Sequence, residues 1–277
     1  MSGKLYVVGT PIGNLGDFSP RGVEALRNAD FIAAEDTRVT VKLLNHFEIK
    51  KEMLAYYEHN KNTKGNLIIE RMLAGESCAL VSDAGMPAIS DPGEDLVRLC
   101  REKGIAVESV PGPSAVISAL SISGMPSGRF CFEGFLSMNR ISRREHLESL
   151  KNEKRTMIFY EAPHKLMATL NDFLNTFGDR EIAFCRELTK LHETVYRTTL
   201  KESIGYYTEN PPKGEFVLII RGKTEEVTEY TQEDALEIAK RLISEGQSTS
   251  SAAKEASAIT GFKKGDIYKL ILENEKE

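Results

Sequence analysis

Short apolar runs separated by amphipathic stretches set the frame of the chain's first part. Lys4 to Val8, Phe31 to Ala34, Met53 to Tyr57, Cys78 to Ser82 and Ala106 to Val110 read as strands. Between and after them, apolar residues recur at helical spacing and predict helices over Arg21–Asn28, Val39–His46, Gly65–Ala74, Glu94–Lys103 and Ala115–Ser123. Ser19 and Pro20 suit the cap and first position of the first of these helices. Strand–helix alternation of this kind is the signature of a parallel sheet with helices on its faces.

The rhythm changes across Gly124 to Gly128. Beyond it, strands are expected at Phe130–Leu136, Thr156–Glu161, Glu181–Arg186, Glu193–Thr199 and Phe216–Ile220, with helices at Arg143–Lys151 and His164–Phe177. Neighbouring strands with fewer helices between them suggest a mixed or antiparallel sheet. A polar, charged linker from Lys223 to Tyr230 leads to Thr231-Gln232-Glu233-Asp234, a variant capping box. Ala235, Ile238 and Leu242 then mark an amphipathic helix. Ser248–Ile259 and Lys263–Asn274 follow as two more helices around Gly261, in a helix-turn-helix-like arrangement. The expected organisation is an α/β chain of three domains: 1–117 on a parallel sheet, 118–223 on a mixed sheet, and 231–277 as a small helical domain.

Composition narrows the setting without choosing a function. Hydrophobic residues make up 41% and charged residues 28% of 277, a globular balance. The net charge of −5 means that a nucleic-acid or membrane partner needs a local patch. No apolar run approaches the roughly 20 residues of a membrane helix, and the first strand begins too early for a signal peptide. Cys78, Cys100, Cys131 and Cys185 are scattered, as reduced thiols of a cytoplasmic protein would be. Neither they nor the five dispersed histidines have metal-ligand spacing, so no metal site is expected.

Candidate chemistry gathers at strand ends. Asp83-Ala84-Gly85-Met86-Pro87-Ala88-Ile89-Ser90-Asp91-Pro92-Gly93 leaves the fourth strand with two aspartates among glycines and prolines. Glycine lets a ligand approach the backbone, and Asp83 could accept bonds from a ribose diol. The same loop equally suits a rigid turn in which Asp91 caps the next helix. Gly9 to Gly16 and Pro111 to Ala115 leave two other strands of the same sheet, where open α/β sheets bind ligands. Glu35-Asp36-Thr37-Arg38, Tyr160-Glu161 and Arg186 to Glu193 form charged clusters at further strand ends. From Asn139 to Arg155 six basic residues, among them Arg140, Arg143 and Arg144, face three glutamates. That excess reads as a solvated helix face or a phosphate-contacting arm.

Taken as a series, these motifs resemble those of the ribosomal RNA small subunit methyltransferase I family, of the tetrapyrrole-methylase-like fold. They are Gly9-Thr10-Pro11-Ile12-Gly13-Asn14-Leu15, Ala34-Glu35-Asp36-Thr37-Arg38, Ser82 to Gly93, Pro111-Gly112-Pro113-Ser114-Ala115, Phe159-Tyr160-Glu161-Ala162-Pro163-His164 and Arg186-Glu187-Leu188-Thr189-Lys190. The likeness covers about residues 4–222. It implies S-adenosylmethionine-dependent 2′-O-methylation of a cytidine ribose in small-subunit (16S) rRNA at the decoding centre. It further implies a cytoplasmic homodimer with no membrane association, its donor folded between two α/β domains. By position, the resemblance assigns donor contacts to Pro11, Asp83, Gly85, Met86, Ser114, Ala115, Tyr160, Glu161 and Leu188. Met86 stands where that family more often has threonine, and Thr198 where glycine is usual.

A ribose hydroxyl is a poor nucleophile while neutral, so a base or electrostatic help is expected to assist removal of its proton. Glu161, Glu187, Asp36 and Glu193 are candidate bases. Lys190, Arg38 and Arg186 are candidates to bind phosphate or steady charge, and Arg140, Arg143 and Arg144 extend the RNA-binding set. Two alternatives stay open: a tetrapyrrole C-methyltransferase on the same fold, and a non-catalytic ribosome-binding module.

Overall fold

The computed structural model describes residues 2–224 and 230–274; residues 225–229 of the expected linker lie outside them. Five strands, β1 (Lys4–Val8), β2 (Phe31–Ala34), β3 (Glu52–Ala55), β4 (Cys78–Val81) and β5 (Ala106–Val110), form a sheet in the order β3-β2-β4-β1-β5. Every neighbouring pair is parallel. Helices α1 (Pro20–Asn28), α2 (Thr37–His46), α3 (Lys61–Leu73) and α4 (Glu94–Glu102) cover its two faces. Phe31 and Ala33 of β2 join the core under α3 and α4, while Ile32 and Ala34 join the core under α1 and α2. Burial on both faces explains the unbroken apolar runs in the sequence. The Ser19 side chain accepts from Gly22 N–H, with Pro20 in the first turn, and so starts α1 where the sequence placed it.

The second sheet comprises β6 (Phe130–Phe135), β7 (Thr156–Glu161), β8 (Glu181–Arg186), β9 (Thr194–Thr199) and β10 (Phe216–Ile220), in the order β6-β7-β10-β8-β9. It is mixed: β6 and β7 are parallel and the remaining pairs antiparallel. One face packs against α5 (Ala115–Ile122) and the other against α6 (Arg140–Ser149), α7 (Pro163–Phe177) and α8 (Leu200–Glu209). The division at 117/118 falls inside α5. Val116, Ala119 and Leu120 of that helix share a core with Ile158, Ala183 and Ile219, so the crossing to the second sheet is made at Pro111 to Ser114. Both sheets belong to one compact unit, Met1–Lys223.

A separate unit, Thr224–Glu277, contains α9 (Gln232–Ser244), α10 (Thr249–Thr260) and α11 (Lys264–Asn274). Its core is small residues and isoleucine: Ala235, Ala239, Ala253, Ala256, Ile267 and Ile271. The reciprocal Thr231–Asp234 capping box is formed, and Gly261 ends α10 in the left-handed conformation.

Candidate functional site

The parallel sheet delivers the loops after β1, β2, β4 and β5 to one edge. Two of them touch backbone to backbone. A Cβ on Gly9 would lie 2.7 Å from Gly112 Cα, and one on Gly112 would lie 2.5 Å from the Gly9 carbonyl oxygen, so both positions require glycine. The β1 and β4 loops are joined by an isolated bridge. Thr10 N–H donates to Gly85 O at 2.9 Å and Gly85 N–H to Thr10 O at 3.1 Å, while Thr10 Oγ1 donates to Ser82 O at 3.2 Å. A second clasp ties β2 to β4. Asp36 N–H donates to Asp83 Oδ1 at 3.1 Å, and Asp83 N–H to Glu35 Oε2 at 3.4 Å.

These loops and the ends of β7, β8 and β10 enclose a cavity of about 570 Å³. Five carboxylate residues line it, Glu35, Asp83 and Asp91 from the loops of the first sheet and Glu161 and Glu215 from the second. Burial raises the pKa of Glu35, Asp83 and Asp91; the Asp91 charge adds to the rise at Glu35, and at Asp83 the Asp36 N–H offsets part of it. Burial, with the Asp91 charge beside it, also pushes the Tyr160 hydroxyl up to about 12. Met86, Ala115, Leu188, Phe216 and Cys185 supply apolar wall. Among the described residues no group of three or more His, Cys, Asp or Glu is arranged to hold a metal ion.

The cavity wall brings together Asp83, Gly85, Met86, Ser114, Ala115, Tyr160, Glu161 and Leu188 of the expected donor contacts; at the first loop it is Ile12, not Pro11, that lines it. Glu35 and Asp91 lay inside motifs read from the sequence, yet only the fold shows that they share one cavity. Asp91 does not cap the next helix, whose N-cap is Gly93.

The candidate bases are placed differently. Glu161 is buried, 4% exposed, and its carboxylate accepts from Thr169 Oγ1 and from Ala162 N–H (2.9 Å). Glu187 Oε1 accepts from Glu215 N–H at 2.9 Å and Lys190 Nζ at 3.1 Å; these bonds, the Glu215 N–H foremost, hold its pKa below the usual carboxylate range. Lys190 also donates to Glu215 Oε2 at 2.8 Å, and these partners raise its pKa against the opposing effect of burial. Asp36 caps α2 and takes both Nε and Nη2 of Arg38, which brings its pKa down to about 2. Glu193 accepts from Thr189 N–H at 2.6 Å. Glu187, Lys190 and Asp36 do not line the cavity.

Of the basic residues, Arg38 keeps its side chain 88% exposed beside Asp36, and Arg140 and Arg144 are exposed on α6. Arg186 is half-buried, its Nε without a hydrogen-bond partner. Arg143 turns inward: its Nε donates to Asp172 Oδ2 at 2.6 Å and its Nη2 to Thr169 Oγ1 at 2.8 Å. It braces α6 on α7, where the sequence suggested RNA contact.

Comparison with known proteins follows the same lines. Residues 4–203 match the family described as Tetrapyrrole (Corrin/Porphyrin) Methylases. A protein of Synechocystis sp. named Ribosomal RNA small subunit methyltransferase I is 46% identical over 277 residues, covering 99% of each chain. A relative of the same name from Thermotoga maritima is 47% identical over 221 residues, 80% of this chain and 99% of its own. Among solved structures, diphthine synthase superposes with a TM-score of 0.61 at 16% identity, over 79% of this chain and 90% of that one, a likeness of fold.

Proposed function

The chain belongs to the tetrapyrrole methylase family, in the ribosomal RNA small subunit methyltransferase I group, and from that premise we propose that it methylates the ribose 2′-oxygen of a cytidine in 16S rRNA at the decoding centre. Its methyl donor is S-adenosylmethionine. The observation that carries the reading is the cavity where the loops of the first sheet meet the strand ends of the second.

The residues present fit that donor. About 570 Å³ lies within the ordinary range for a small-molecule site. Glu35, Asp83 and Asp91 suit a sulfonium, an ammonium and a ribose diol, and Met86, Ala115, Leu188 and Tyr160 suit an adenine. Bound there, the donor supplies an electrophilic methyl carbon. Asp83 keeps Oδ1 on Asp36 N–H and offers Oδ2 to a ribose hydroxyl. Asp36 and Glu187 stand outside the cavity, Glu161 has both oxygens bonded and Glu215 is paired with Lys190, which leaves Glu35, through Oε1, and Asp91 as the carboxylates set to receive the 2′ proton. Positioning of the two substrates supplies a further share of the acceleration.

On the acceptor side, Arg38, Arg140 and Arg144 meet phosphates of rRNA within the small ribosomal subunit. The same reading makes the active species a homodimer working in the cytoplasm. No helix among the described residues is long and apolar enough to cross a membrane.

The test is to incubate the purified protein with labelled S-adenosylmethionine and small ribosomal subunits, then map the label by nuclease digestion and mass spectrometry. Label on one cytidine ribose is expected. Label on a base overturns the 2′-oxygen. Donor binding without transfer moves the acceptor elsewhere, to tetrapyrroles first.

A further inference from the structure

Strand β6 does not run regularly to its end. Phe130, Cys131 and Phe132 stand opposite Thr156, Met157 and Ile158, after which the register slips and Gly134 and Phe135 stand opposite Phe159 and Tyr160. Glu133 is the extra residue of a bulge. Side chains alternate along an unbroken strand, so Phe135 would share the face of Cys131 and point into the core beneath α6 and α7. The bulge gives that place to Leu136, which is buried there, and turns Phe135 to the face of Phe132 and Ile158, where the cavity opens. Gly134 makes the reversal at φ +66°, and a Cβ on it would come within 3.2 Å of Ser90 Oγ in the β4 loop.

The ring so aimed is not consumed by packing. Phe135 lines the cavity and is 59% exposed, its centroid 5.3 Å from that of Tyr160. Beyond it Met138 and Ile141 are also exposed, and between and after them come Arg140 and Arg144, which have no ion-pair partner among the described residues. The chain Arg143–Thr169–Glu161 ties this helix to the cavity wall. An exposed aromatic ring followed along the chain by unpaired, exposed arginines is the composition of a single-stranded nucleic-acid platform.

We propose that Phe135 is the surface on which an unpaired base of the acceptor RNA stacks at the cavity mouth, with Arg140 and Arg144 on the adjoining phosphates. This rests on the rRNA reading above and adds how the target nucleotide is held once it leaves its own stack. A second copy of the chain is the poorer occupant, because a two-fold axis here would set the basic patch against itself.

Phe135→Ala, Phe135→Leu and Phe135→Tyr are compared with the unmodified protein. The measurements are methyl transfer to purified small subunits, donor affinity by calorimetry and mass by sedimentation. A roughly tenfold or larger rise in KM for subunits is expected for the Ala and Leu forms, with the Tyr form near the parent. Donor affinity and oligomeric state stay unchanged. An unaltered KM in Phe135→Ala overturns stacking while leaving the rRNA reading intact. Weakened donor binding reassigns the ring to the donor, and a changed mass reassigns the face to self-association; either overturns the proposal. If the parent protein transfers nothing to rRNA, the underlying reading fails, and the proposal with it.

Discussion

On the wall built by the first sheet, Glu35, Asp83 and Asp91 face the cavity with few donors to hold their charge, and all three pKa values rise. On the wall built by the second sheet, Glu161 is enclosed by a hydroxyl and a backbone N–H. Glu187, just behind that wall, is held by a backbone N–H and an ammonium, and its pKa falls. Side chains with the same chemistry thus stand as cavity-facing groups in one place and as braces in the other. What separates them is the supply of donors: a carboxylate already satisfied inside the protein has little left to offer a substrate.

The contrast breaks most visibly at Glu161. Glu161→Ala removes the acceptor for Thr169 and Ala162 and should cost about 2–3 kcal/mol in urea unfolding. Glu161→Gln keeps an acceptor and should retain most stability and a kcat near the parent's; a folded but inactive Gln form would move Glu161 into the chemistry. Asp83→Ala should weaken donor binding at least tenfold, about 1.4 kcal/mol, by calorimetry. An unchanged affinity would detach the acidic wall from donor recognition. Arg38→Ala, across the Asp36–Asp83 clasp from the cavity, should raise KM for subunits a few-fold and lower the salt dependence by about one phosphate contact. Donor affinity should not change. The smallest effect belongs to Asp91→Asn, which should stabilise the ligand-free protein at neutral pH by up to about 1 kcal/mol. Asp91 has a raised folded-state pKa, so the native state takes up a proton more readily than the unfolded chain. The cost of its charge is present above that pKa and relieved as pH falls through it. The advantage of Asp91→Asn in thermal unfolding should therefore fade on acidification. For Glu187, whose pKa is lowered, stability is present above the unfolded carboxylate value and lost as pH falls.

Much of the fold is legible because its central strands are buried on both faces and bounded by glycine or charge. β1, β2, β5, β7, β8 and β10 match the sequence reading at both ends. The sequence predicts no helix at α8, where Leu200, Ile204 and Tyr207 carry apolar spacing and Thr199 caps by accepting from Glu202 N–H; a charged surface dilutes the signal. α3 begins at Lys61 rather than Gly65, where Lys61 pairs with Glu58 and Asp95, contacts invisible to periodicity. At the site, the motif loops announced the cavity but not which of their carboxylates would be spent on internal bonds. That depends on Thr169 and Glu215, partners brought in from elsewhere in the chain. The sequence marks Phe135 only as a strand residue, because one extra residue in a strand leaves no mark on composition and inverts every orientation after it.

The pair of amide bonds between Thr10 and Gly85 has a kinetic consequence. Ligand-binding loops are commonly among the first parts of a protein to open, but these two are stitched together directly above the central strands β1 and β4. Their amide protons should exchange with solvent on the timescale of the sheet itself. A ligand entering the cavity would meet a floor that is already assembled, and its affinity would carry no entropic charge for ordering that floor.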